Sequence, residues 1–168
     1  ETGIPCRNRT AGLLGVCVEC APGTGPNPAK TDCVRCTAGK FSSTGHVCQT
    51  CHTGFGALLN HTGCKPCETG NVGQDGICTR CDSGSQPNPT RSSCLHCPPA
   101  WAGTDGICTA CLVGFEQNLN RTECIQCAPG RIRNVALDAC ATCLNGTQPN
   151  KARTECLFCP AGRAGMSG

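Results

Sequence analysis

The chain has 168 residues, of which 21 are cysteine, one is Trp and none is Tyr. So little large apolar material excludes a single hydrophobic core, and a cysteine content this high marks a scaffold held by sulfur or by metal. A formal net charge of +3 without basic runs excludes a nucleic-acid footprint, and no apolar stretch reaches the ~20 residues of a membrane span.

Glu1-Thr2-Gly3 reads as a cloning scar left where a signal peptide was removed. Residues 4–16, with Cys6, read as the remnant of a preceding repeat. From there C-x2-C pairs begin at Cys17, Cys33, Cys48, Cys64, Cys78, Cys94, Cys108, Cys124, Cys140 and Cys156. Grouped two pairs at a time, they give five repeats: 17–47, 48–77, 78–107, 108–139 and 140–168, the last truncated after its final pair. A fixed period of this size indicates an array whose units touch mainly their neighbours.

Inside each repeat several slots recur. Gly23, Gly54, Gly84, Gly114 and Gly146 stand three residues after the first pair, where a tight turn with positive φ suits only glycine. Thr31, Thr62, Ser92, Thr122 and Thr154 precede the third cysteine by two, and a hydroxyl there predicts a side-chain to backbone bond that closes a loop. Repeats one, three and five carry Pro26-Asn27, Pro87-Asn88 and Pro149-Asn150 in that loop, a β-turn signal. Repeats two and four instead place Phe55 and Phe115 after the glycine, then Leu59-Asn60 and Leu119-Asn120. After the second pair Gly returns at Gly39, Gly70, Gly130 and Gly162, with Ala100 the exception. Asp75-Gly76 and Asp105-Gly106 each precede a short strand, a hairpin signal. No helical periodicity appears between these breakers. The expected fold is small and disulfide-rich: an elongated tandem array of short β-ribbon and loop modules, with almost no helix and no single hydrophobic core.

Paired C-x2-C motifs also suit a four-cysteine zinc ribbon. Here the glycine comes three residues after the second cysteine rather than next to it, and basic residues are not gathered near the thiols. The sequons at Asn8, Asn60, Asn120 and Asn145 favour a secretory origin with N-linked glycans, whereas Asn88 is blocked by Pro89. Disulfides are therefore expected, and a zinc array is a remote alternative. Two pairings fit the spacing. A crossed one joins Cys17–Cys33, Cys20–Cys36, Cys48–Cys64, Cys51–Cys67, Cys78–Cys94, Cys81–Cys97, Cys108–Cys124, Cys111–Cys127, Cys140–Cys156 and Cys143–Cys159, and leaves Cys6 unpaired. The other joins neighbouring pairs, Cys6–Cys17, Cys20–Cys33, Cys36–Cys48 and onward, and leaves Cys159. Ring sizes are similar, so loop entropy hardly separates them. The crossed set restrains each module in two directions and is preferred.

No catalytic, metal or cofactor residue is expected. All ten pairs look alike, and no helix follows any of them, as a redox pair would need. His46, His52, His61 and His96 share no slot and read as loop residues, while Asp75 and Asp105 read as turn residues. Arg131 and Arg133 fall on one side of a strand and read as a solvated face, with a sulfated sugar as the sharper possibility. Phe55 and Phe115 read as module caps or as contacts for a partner. Trp101 reads as an inter-module wedge or an exposed anchor.

The pattern C-x2-C-x2-G-x2-P-N-x3-T-x-C-x2-C-P-A-G, legible across 140–162, resembles the ephrin-receptor-like cysteine-rich repeat, related in style to modules of tumour necrosis factor receptors and furin-like regions. The resemblance covers residues 17–162. It implies an extracellular, disulfide-bonded array on a secreted or cell-surface protein, of a kind also found on single-celled eukaryotes. The expected role is a non-enzymatic rod or stalk, acting as spacer and as adhesion or assembly scaffold, with another extracellular protein or a second copy as partner. The alternative is a ligand-binding segment of a cell-surface receptor.

Overall fold

The computed structural model describes residues 6–14 and 16–165, so the scar expected at residues 1–3 lies outside the described residues. Contacts divide the chain into two compact units, residues 1–80 with 87–93 and residues 81–86 with 94–168. Both are built the same way. Twenty strands of two to four residues pair as ten two-stranded antiparallel hairpins, and no helix occurs among the described residues.

The hairpins alternate between two kinds. One kind has a constant six-residue loop, as between Pro26 and Cys33, which are paired in register. Its strands are Thr24–Pro26 with Cys33–Arg35, Phe55–Ala57 with Cys64–Pro66, Ser85–Pro87 with Cys94–His96, Phe115–Gln117 with Cys124–Gln126, and Thr147–Pro149 with Cys156–Phe158. The constant loop has a chemical cause. Asn27, Asn88, Asn118 and Asn150 each accept the backbone N–H of the recurrent Thr or Ser at 2.8–2.9 Å. Their amide nitrogens donate to the same residue's hydroxyl at 2.8–3.0 Å. The recurrent hydroxyl therefore meets an asparagine side chain and not the backbone. In the second repeat Leu58 fills the asparagine slot, and Thr62 donates its hydroxyl to Asn60 instead, at 2.9 Å.

The other kind of hairpin is variable. Its strands are Thr10–Ala11 with Val18–Glu19, Lys40–Phe41 with Gln49–Thr50, Asn71–Gln74 with Ile77–Arg80, Trp101–Thr104 with Ile107–Ala110, and Arg131–Ile132 with Ala141–Thr142. In two of them Gln74 pairs with Ile77 and Thr104 with Ile107, leaving only Asp-Gly between the strands. Both turn residues have positive φ (50° and 75° at Asp75-Gly76, 56° and 75° at Asp105-Gly106), the type I′ geometry that matches strand twist.

One disulfide closes each hairpin. The bonds are Cys6–Cys17, Cys20–Cys33, Cys36–Cys48, Cys51–Cys64, Cys67–Cys78, Cys81–Cys94, Cys97–Cys108, Cys111–Cys124, Cys127–Cys140 and Cys143–Cys156. This is the neighbouring pairing. The crossed set, Cys17–Cys33 with Cys20–Cys36 and so on to Cys140–Cys156 with Cys143–Cys159, is not formed, and Cys6 is bonded while Cys159 is the free cysteine. The reason is local. Cys64 opens the return strand Cys64–Pro66, and Cys67 leads into the next hairpin, Asn71–Gln74 with Ile77–Arg80. A C-x2-C pair is thus a hand-over between two hairpins, and each closed ring stays within one of them. Each ring, closed by cysteines 11–13 positions apart, contributes about 3 kcal/mol in the chain-entropy model.

Sulfur is also the core. The second cysteine of every pair from Cys20 to Cys143 is buried, and Cys67, Cys97 and Cys127 are the largest fully buried side chains. Val72, Ala102 and Ile132 are among the few aliphatic side chains that join them. Leu59 and Leu119, at the loop tips of repeats two and four, are fully in water.

Candidate functional site

The feature that recurs most strictly is the joint between hairpins. In the first unit the Gly54 N–H donates to the Gly73 carbonyl (2.9 Å), and the Gly73 N–H donates to the Arg91 carbonyl (2.8 Å). Gly23, Ser42 and His61 repeat the relay at 2.7 and 2.9 Å. In the second unit Gly84, Gly103 and Arg121 make it at 2.8 and 2.9 Å, and Gly114, Arg133 and Arg153 at 2.7 and 2.9 Å. One residue in four of the five variable hairpins thus links the turn glycine of one constant hairpin to the loop of the next, and in the first Gly12 makes the second step alone, to Lys30.

The accepting loop residue is in the left-handed region every time: Lys30, His61, Arg91, Arg121 and Arg153 have φ of 54–57°. A non-glycine residue there costs roughly 1–2 kcal/mol, offset by what the residue holds. Its carbonyl completes the relay, and the Arg91, Arg121 and Arg153 guanidinium groups donate to the Cys67, Cys97 and Cys127 carbonyls. His61 uses its ring, with Nδ1 2.9 Å from the Lys40 carbonyl. The basic column before each Thr or Ser stands in the sequence at 30, 61, 91, 121 and 153, and was the signal that could have revealed the joint. His61 therefore stands in this basic slot, which none of the other three histidines shares.

The turn glycines are required for a second reason. Gly84 has φ of 79°, and a Cβ there would overlap the Asn120 carbonyl of the incoming loop. Gly54 meets Thr90 and Gly114 meets Ala152 in the same way.

Arg131 and Arg133 are not a solvated face. Arg133 is 7% exposed. Its Nη1 donates to the Cys111, Leu112 and Phe115 carbonyls at 2.9–3.0 Å, and its Nε to Leu137 at 2.9 Å. Arg131 donates to the Cys140 carbonyl and lies 3.6 Å from Glu116.

Phe55 pairs with Pro66 and keeps 39% of its surface exposed, and Trp101 pairs with Ala110 and keeps 40%. Phe115, paired with Gln126, is half-buried. The asparagines of the four sequons, Asn8, Asn60, Asn120 and Asn145, are all exposed. The residue between Asn and Thr has positive φ in each: Arg9, His61, Arg121 and Gly146.

Among the described residues no group of three or more His, Cys, Asp or Glu side chains is placed to hold a metal ion. Nor is any helix there long and apolar enough to cross a membrane. The chain matches no family model, and no curated protein matches it significantly.

Proposed function

We propose that this chain is a non-enzymatic spacer on the outside of a cell or in a secreted protein, a stalk-like segment that carries N-linked glycans and sets the distance between whatever it joins. Ten disulfides suit an oxidising compartment. The observation that carries the reading is the joint: the same relay, with the same left-handed loop residue, is spent on holding one hairpin to the next. The likeness to ephrin-receptor-like repeats supports the same class of protein.

Removing residues 78–107 tests this. Ile77 is then followed by Cys108, as it was by Cys78. A spacer whose modules depend only on their neighbours folds without that repeat and is secreted with the remaining disulfides closed in the neighbouring pattern. Scrambled disulfides in the shortened chain, read by non-reducing peptide mapping, contradict it. The receptor reading has one observation in its favour, the exposed faces of Phe55 and Trp101. It requires saturable binding to an extracellular protein that is lost in Phe55→Ala or Trp101→Ala.

A further inference from the structure

Asn60 and Asn120 occupy the same slot of the repeat, beside Leu59 and Leu119, yet their surroundings differ. In the first unit the residue two after the preceding return-strand cysteine Cys33 is Arg35, whose Nη2 reaches across to the Leu59 carbonyl at 2.7 Å. In the second unit the matching residue, two after Cys94, is His96. Its ring is too short to make that reach and stays 3.4 Å from the Ser85 hydroxyl. Where Arg35 spans to the backbone of the next loop, His96 borders an open cleft of about 560 Å³ lined by Ser83, His96, Leu119, Asn120, Arg121 and Thr122.

The two sequons also hold their side chains differently. The Thr62 hydroxyl donates to the Asn60 carbonyl oxygen at 2.9 Å. The Thr122 hydroxyl is taken instead by Asn118, which donates to it at 2.9 Å. The Asn120 amide is therefore not tied to its own sequon, and it stands on the wall of the cleft.

We infer that this cleft is the seat of the first N-acetylglucosamine of a glycan on Asn120. The His96 ring and the Leu119 side chain offer apolar faces to the sugar ring, and the Ser83 hydroxyl offers a polar partner at the edge. The volume falls within the ~300–1,000 Å³ typical of small-molecule clefts. Attachment to Asn120 supplies the local concentration that a free sugar would lack. At Asn60 the Arg35 guanidinium, held on the neighbouring Leu59 carbonyl, takes the place that a seated sugar would need. The inference rests on the proposed secretory, glycosylated state of the chain.

The test uses the whole chain, secreted from a host that installs N-glycans. Glycopeptide mass spectrometry first gives occupancy at Asn60 and Asn120. The native protein is then treated with a peptide N-glycosidase, and release is followed at each site and normalised to the rate from reduced, unfolded protein. A glycan seated in ~80% of molecules is exposed in about a fifth of them, so release at Asn120 is expected about five-fold slower than at Asn60. His96→Arg should bring Asn120 to the Asn60 rate, and Arg35→His should slow Asn60. Both positions are exposed, and disulfide mapping verifies the fold of each variant. Equal native rates, or a His96→Arg chain that stays slow at Asn120, overturn the seat and leave the glycoprotein reading intact. A secreted chain without sugar on Asn120 overturns the seat together with the glycosylation on which it depends.

Discussion

The hairpins closed by Cys97–Cys108 and by Cys127–Cys140 make the same joint by different means. In the first, Gly103 takes the relay position, and a two-residue Asp105-Gly106 turn brings the chain straight back. In the second, Arg133 takes that position, and residues 133–140 form the loop between paired Ile132 and Ala141. A tight turn fixes its own backbone. A long loop cannot, and Arg133 supplies the missing restraint by donating to four carbonyls, three in the neighbouring hairpin and one in its own loop. The two also differ at the turn before the strand: Ala100 has φ of 65° where Gly130 has 80°. The relay is what the repeat requires, and the surroundings that hold it in place can be exchanged.

The largest effect that would break this equivalence is expected from Arg133→Met. Methionine keeps the bulk and removes every donor; the Leu112 carbonyl keeps the Phe115 N–H, but the buried contact to the Cys111 carbonyl is lost, at about 1–3 kcal/mol where water cannot replace it. A local loss of roughly 3 kcal/mol is expected, read as faster hydrogen exchange at the Gly114 amide, which donates to the Arg133 carbonyl. An unchanged Gly114 rate would mean that the long loop holds itself. Gly103→Ala comes next. A Cβ there would overlap the Ile107 carbonyl across the ladder, and about 2 kcal/mol is expected from the forced backbone shift. Faster exchange at Gly84, whose N–H donates to Gly103, would register it. The smallest effect sharpens the comparison from the other side. Ala100→Gly relieves a left-handed alanine worth ~1 kcal/mol or slightly more but gives up a buried methyl worth up to ~0.8 kcal/mol. A slight rise in thermal midpoint is expected, and a fall would show that methyl burial outweighs strain.

Much of this design can be read in the sequence, and the places where reading fails have physical causes. Asp75-Gly76 and Asp105-Gly106 announce their hairpins because few dipeptides accept two positive φ values in succession. The turn glycines announce themselves for the same reason. The disulfide pairing does not, since both schemes close rings of similar length. What decides it is which strand each cysteine stands on. That information was present in the Asp75-Gly76 hairpin: Cys67 precedes its first strand and Cys78 stands on its return strand, so those two close it. The left-handed basic column was hidden by its chemistry, because Lys, His and Arg are ordinary surface residues and no side-chain property advertises a positive φ. Arg133 misled for a related reason. Two arginines flanking Ile132 look solvated, and Arg133 is buried through carbonyls rather than against an acid that the sequence could show. The sequons were plain, but the difference between Asn60 and Asn120 turns on Arg35 and His96, each more than twenty residues away along the chain.

Closing every hairpin on itself has a consequence for tension. If the chain is pulled from its two ends, the stress runs through each S–S bridge and then along the two residues between the cysteines of a pair. The residues between the two cysteines of each bridge, which stand 11–13 positions apart, lie in parallel with a covalent shortcut and carry almost no pull. Tearing apart the ladders and joints would therefore release little length: each bridge spans 5.4–5.8 Å between Cα atoms, and each link of three peptide steps reaches at most about 11 Å. A reductant, and not stretching, is what would let such a chain pay out its stored slack.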